Sequence, residues 1–345
     1  MKLSKLLLIA FSVSLFVSCS SDDDNDQVEY KNGFLILNEG SAGQGSVSFS
    51  SNDFNVFEKD TYTAANGSDL LGKYAQNIFF DGDRAYIIAG GSNVINVVNK
   101  YTFKLIAKID TGLANPRYGV VKDGKAYVTN ANTYFSASNP NGNTDDYVAV
   151  INLATNTYES KINLNATADR LILEDGKLYI TEQYNSDKLL IVNTITKALE
   201  TPIVIGSGAD SLEEENGIIY ILRKPYGEIS EIVKVKISDK TTTKLTFPES
   251  LDSAGFLDIS DNKIYYTVGS SVYSINTSAT VISSSAIFTA SSVANLYGFA
   301  VNDNKIYLAD SGDYKADSKA YIYNLTGALQ KELTVGVAPN GFYFN

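Results

Sequence analysis

A polar two-residue turn followed by a Tyr-bearing strand recurs along most of this chain. It reads Asp81-Gly82…Tyr86, Asp123-Gly124…Tyr127, Asp175-Gly176…Tyr179, Asn216-Gly217…Tyr220, Asp261-Asn262…Tyr265 and Asp303-Asn304…Tyr307. The tyrosines are 41, 52, 41, 45 and 42 residues apart. A period of about 40–45 residues is the size of one four-stranded propeller blade. Asp-Gly and Asn-Gly between apolar runs are hairpin signals, because type I′ turns need positive φ at both central residues. An apolar strand precedes each turn, as in Ile78-Phe79-Phe80 and Leu171-Ile172-Leu173. A third strand follows, such as Val148 to Ile151 or Leu189 to Val192, then an Asn-x-x-Thr turn at Asn152 or Asn193. A more polar fourth strand closes the unit, as at Tyr158 to Ile162. Nothing in this pattern has helical periodicity, so the expected class is all-β.

The ends set the blade count. Asn32-Gly33 to Leu37 reads as a turn and a second strand with no first strand ahead of it. Pro339-Asn340-Gly341-Phe342 onward reads as a first strand lacking a partner after it. Joined, they complete a seventh blade, giving a seven-bladed β-propeller over 31–345 in which N- and C-terminal strands share one blade. Such closure removes the exposed sheet edge. The recurring tyrosines suit the wedge between blades, where the ring packs and the hydroxyl finds a partner.

Lys2 and Lys5, then an apolar stretch from Leu6 to Val17, predict a secretory signal over 1–18. Leu15-Phe-Val-Ser-Cys19 is similar to a bacterial lipobox, which makes Cys19 the lipidated first residue of the mature chain. It is the only cysteine, so the folded domain is expected to have no disulfide and no thiol chemistry. The acidic run from Asp22 to Asp26 makes 19–30 an expected disordered tether. It also resembles the export signal that takes lipoproteins of Bacteroidetes to the outer face of the outer membrane. The expected location is therefore the outer membrane, lipid-anchored and facing the exterior. A net charge of −11 offers no basic stripe for phosphates, so no nucleic-acid partner is expected.

There is no histidine. That excludes His-based acid–base catalysis, a Ser-His-Asp triad and His-ligated zinc or haem. Asp310, Asp313 and Asp317 could offer oxygens to calcium, but their spacing matches no EF-hand loop. Glu213-Glu214-Glu215 precedes a turn and reads as a solvated edge. No cofactor, resident metal or catalytic residue is expected. Loop residues with few core duties are the better site candidates. The loop from Asn130 to Tyr147, which accounts for the 52-residue step, carries Tyr134 and Phe135. Other loops carry Tyr184, Arg223, Tyr226 and Tyr314. The entries to the inner strands bring Gln76, Asn77, Arg117, Tyr118, Asp169, Arg170, Asp210, Tyr297 and Asn340 toward the channel. Polar groups there line a pocket or bond to neighbouring blades.

Ala126-Tyr127-Val128-Thr129-Asn130 spells the repeat signature of YVTN-type propellers. Leu37-Asn38-Glu39-Gly40, Leu71-Gly72…Ala75-Gln76, Asn115-Pro116-Arg117-Tyr118 and Pro339-Asn340-Gly341-Phe342 follow in the order found in the DUF5074 or YncE-like surface lipoprotein propellers of Bacteroidetes. The resemblance spans essentially the whole mature chain. It implies a seven-bladed propeller seated beside a TonB-dependent outer-membrane transporter. Some members of that group capture vitamin B12 and related corrinoids and pass them on. Asn38, Glu39, Arg117 and Tyr118 fall on the shared motifs and join the candidate binding residues. A non-enzymatic capture protein is the leading expectation. A platform for protein or glycan contacts and a calcium-dependent propeller lactonase stand as alternatives.

Overall fold

The computed structural model describes residues 29–140 and 142–344. The signal segment, Cys19 and the acidic run lie outside the described residues. Seven four-stranded antiparallel sheets make up the described fold. Six follow one another in chain order, with inner strands Ala75–Asp81, Pro116–Lys122, Leu171–Glu174, Ala209–Glu215, Ala254–Ser260 and Leu296–Asn302, which define blades 1 to 6. In blade 7 the inner strand is Pro339–Phe344, paired antiparallel to Gly33–Asn38, with Leu35 opposite Tyr343. The expected sharing of one blade by both ends is the observed topology.

The turns follow from their residues. Asp123-Gly124, Asp175-Gly176, Asn216-Gly217, Asp261-Asn262 and Asp303-Asn304 all have positive φ at both positions, between 46° and 76°. This is the type I′ geometry whose twist matches the flanking strands. The first repeat differs by one residue. Asp81 pairs with Arg84, so the turn is Gly82-Asp83, and only Gly82 has positive φ. With Gly first, a type II′ turn is the cheaper choice. The Asn-x-x-Thr turns are fixed by the side chain. Asn152 Oδ1 accepts the N–H groups of Ala154 and Thr155, and Asn193 Oδ1 those of Ile195 and Thr196.

The repeated tyrosines are core residues, at most 5 % exposed. Each packs into the blade that follows: Tyr86 against Val128 and Ala149, Tyr127 against Leu178 and Leu190, Tyr179 against Ile219 and Val233. Tyr220, Tyr265 and Tyr307 repeat the arrangement, and Leu35 takes the same place between blades 7 and 1. Seven apolar clusters thus fill the seven gaps between blades. Truncating one such ring to Ala would cost about 3–5 kcal/mol, since the wedge cannot collapse without moving a blade.

Two features depart from the sequence reading. Tyr30, placed above in the tether, is buried against Phe49 and Phe103, and its N–H donates to Tyr101 O at 2.7 Å. Its ring closes the outer end of the gap between blades 7 and 1, so the propeller begins before residue 31. A short helix, Thr61–Asn66, interrupts the otherwise all-β chain. Asp60 caps it by accepting the Thr63 N–H at 3.1 Å.

Candidate functional site

In six of the seven inner strands one extra residue disturbs the register near the entry, as between Ala75 and Asn77, Pro116 and Gly119, or Leu296 and Gly298. Blades 4, 5 and 7 carry the same irregularity. A bulge leaves the extra residue out of the ladder and re-aims its side chain. Consecutive residues such as Arg117 and Tyr118 therefore both face the axis. The first ring around the axis takes one residue per blade: Gln76, Arg117, Asp169, Asp210, Gly255, Tyr297 and Asn340. All seven line a funnel of about 1120 Å³ that opens on the face bearing the long loops. Gly255 contributes no side chain, which leaves the funnel wall low at blade 5, over Phe256 and Thr267.

The floor is a connected polar set. Arg117 Nε donates to Asp169 Oδ1 at 2.7 Å and its Nη1 to Gln76 Oε1 at 2.9 Å. Gln76 Nε2 donates to the Tyr118 hydroxyl at 3.0 Å. Arg170 Nε donates to Asp210 Oδ1 at 3.0 Å, and its guanidinium lies 4.9 Å from the Tyr118 ring centroid. Burial opposes the charge on both arginines, but the aspartates and Tyr118 outweigh it, so both stay firmly cationic. Among the described residues the terminal nitrogens of Arg170 have no hydrogen-bond acceptor, and the side chain lines the cavity. On the opposite wall the Tyr297 hydroxyl donates to Glu39, and its ring meets Tyr314 edge-on at 5.2 Å. Burial and Glu39 together hold the Tyr297 phenol well above its usual range.

Eight sequence-selected residues meet at this funnel: Glu39, Arg117, Tyr118, Tyr134, Arg170, Tyr184, Tyr297 and Tyr314. Tyr134 reaches it from the long loop and accepts from Asn115 Nδ2 at 2.7 Å. Four others do not line it. Asn38 is fully buried, donating to Ser46 and Ser48, and holds blade 7 together. Arg223 is buried in an ion pair with Glu231 and donates to Ser207 O at 2.8 Å. Phe135 and Tyr226 project into solvent outside the funnel rim. The aspartates weighed for calcium also disperse. Asp310 accepts N–H groups from Ala294, Asn295 and Gly312; Asp313 caps Lys315 and Ala316; Asp317 pairs with Lys59.

Beneath the funnel a channel of about 510 Å³ continues along the axis. Here the reading of Glu213 as a solvated edge is corrected. Glu213 lies opposite Tyr220 in the hairpin, as Asp258 lies opposite Tyr265 and Tyr343 opposite Leu35. These three line the channel, as Ile172 and Ala300 do at the equivalent places, whereas Phe79 at the equivalent place in blade 1 is buried against Tyr86. Asp258 accepts the Val301 N–H at 2.6 Å and the Ile259 N–H at 2.7 Å, linking blades 5 and 6. Burial raises it to about 6. Burial, and then Asp258, push Glu213 up to about 8, with Arg170 opposing.

The family profile described as "Domain of unknown function (DUF5074)" matches residues 32–255. No curated protein matches the sequence significantly. Among solved structures, the chain is similar to a quinonprotein alcohol dehydrogenase-like protein from Bacteroides thetaiotaomicron, with a TM-score of 0.71 at 17% identity over 92% of this chain and 79% of the other. A functionally unknown protein from Desulfotomaculum acetoxidans gives a TM-score of 0.66 at 12% identity, over 90% and 98% of the two chains. Apo AztD from Citrobacter koseri gives 0.55 at 12% identity, over 90% and 96%. At these identities the likeness is one of fold.

Proposed function

The chain belongs to the DUF5074 family, and from that premise we propose that it is a surface lipoprotein that captures a ligand in the funnel, without catalysis, for delivery to a TonB-dependent outer-membrane transporter. The observation that carries the reading is the funnel itself. Its volume exceeds that of ordinary drug-sized sites, and Tyr118, Tyr134, Tyr184, Tyr297 and Tyr314 supply ring surfaces around two fixed guanidiniums. Aromatic walls with a few oriented donors suit a large, rigid, amide-bearing ligand. A corrinoid or another metal chelate is the candidate class. The lactonase alternative needs free convergent carboxylates. In the funnel Glu39, Asp169 and Asp210 are instead engaged by Tyr297, Arg117 and Arg170.

Calorimetric titration of the soluble domain with cyanocobalamin and cobinamide tests the ligand class. Saturable binding of both supports recognition of the corrin ring. No heat and no change in melting temperature with either would remove the corrinoid. The platform reading draws support from Phe135 and Tyr226, which are exposed outside the funnel and free to meet a protein partner. Cross-linking from positions 135 and 226 on intact cells tests it.

A further inference from the structure

We propose that the axial channel below the funnel is a second binding site, taking a compact organic cation of the alkylammonium class between Glu213, Asp258 and the aromatic walls. The case does not depend on what the funnel binds. A carboxyl held in a confined channel gives up its proton readily only when a cation or a set of donors pairs it, because an unpaired charge away from bulk water is costly. Among the described residues no lysine or arginine makes an ion pair with Glu213 or Asp258. Arg170, the cation nearest to them on the axis, is already bonded to Asp210. Among the described residues Glu213 has no hydrogen-bond partner, and it lines the channel. Asp258 spends one hydrogen bond per oxygen on backbone N–H groups and keeps lone pairs for a ligand.

The walls decide what kind of cation fits. Phe256 and Phe299 face one another across blades 5 and 6 with centroids 6.5 Å apart, and Tyr343 stands on blade 7. A calcium ion asks for six to eight oxygens. This channel offers two carboxylates among aromatic rings, and the described residues hold no group of three acidic or other metal-ligating side chains. An ammonium on a short alkyl stem uses all of it, donating N–H to the carboxylates and lying over ring faces.

The test is titration of the intact protein with propylammonium, with 1-propanol as the neutral match and calcium as the competing cation, at pH 9, above the value of about 8 to which burial pushes Glu213. The expected result is saturable propylammonium binding, no propanol binding, and a loss of about tenfold or more in E213Q, equivalent to about 1.4 kcal/mol. Phe299→Leu probes the same site from its wall and should also weaken binding while melting cooperatively. Equal affinity in wild type and E213Q overturns the proposal. So does an absence of saturable propylammonium binding, or calcium binding in its place.

Discussion

Replacing Glu213 by Gln should stabilise the propeller, and by an amount that depends on pH. In the unfolded chain this carboxyl titrates near 4.5, and in the folded channel it is pushed up to about 8. The folded state therefore holds a proton that the unfolded state has released. Stability from this group is unpenalised below about 4.5, falls as pH rises, and levels off above about 8. Each pH unit in that window is worth about 1.4 kcal/mol, so at pH 7 the deficit reaches about 3 kcal/mol before screening. The group lies on an open channel rather than in a sealed core, and solvent screening there brings the figure to the order of 1–2 kcal/mol. Gln keeps the shape and carries no charge at any of these pH values. Its loss also relieves Asp258 in the same direction. Scanning calorimetry of both proteins from pH 4 to 9 is the assay. The curves should coincide near pH 4 and separate by roughly 3–8 °C at pH 8. Tm-against-pH curves that run parallel across the range would refute the burial argument, since every other titrating group is common to both proteins.

Three further outcomes follow from the packing. Gly119→Ala would set a Cβ 2.5 Å from the Phe79 ring, which is already stacked on Tyr86 at 4.9 Å. It should cost about 1–3 kcal/mol in chemical denaturation, with Phe79→Leu restoring much of the loss. Arg223→Ala leaves Glu231 paired only with the exposed Lys244 and should cost about 3 kcal/mol, while titration shows unchanged ligand affinity in the funnel. Deleting 134–143 removes Tyr134 from the funnel without touching any blade, so calorimetry should show weaker funnel binding at nearly unchanged Tm.

The blade count was legible because each hairpin turn is written in residues that tolerate positive φ, and because a missing first strand at one end matched a missing second strand at the other. The funnel ring was mostly legible too. Arg117, Asp210 and Tyr297 are the second residues of their inner strands and Asp169 stands just ahead of its own, where a polar residue needs a reason. Gly255 gave no sign, since an absent side chain announces nothing. Arg223 and Asn38 misled because a polar residue at a strand end looks the same whether it turns outward or is buried against its own blade. Glu213 misled for a different reason. Three consecutive glutamates have the composition of a solvated edge, and only the packed ring of blades shows which of them lines the channel.

The pairing of Pro339–Phe344 with Gly33–Asn38 has a consequence for both cavities. The strand that completes the inner wall follows every other described strand along the chain, and it brings Asn340 and Tyr343 to the axis with it. Neither cavity has a full lining until that strand is in place. A chain interrupted anywhere before residue 339 carries most of the funnel's aromatic rings on a ring that cannot close. Both cavities therefore depend on a pairing between strands drawn from distant parts of the chain, and loosening that one pairing opens the funnel and the channel together.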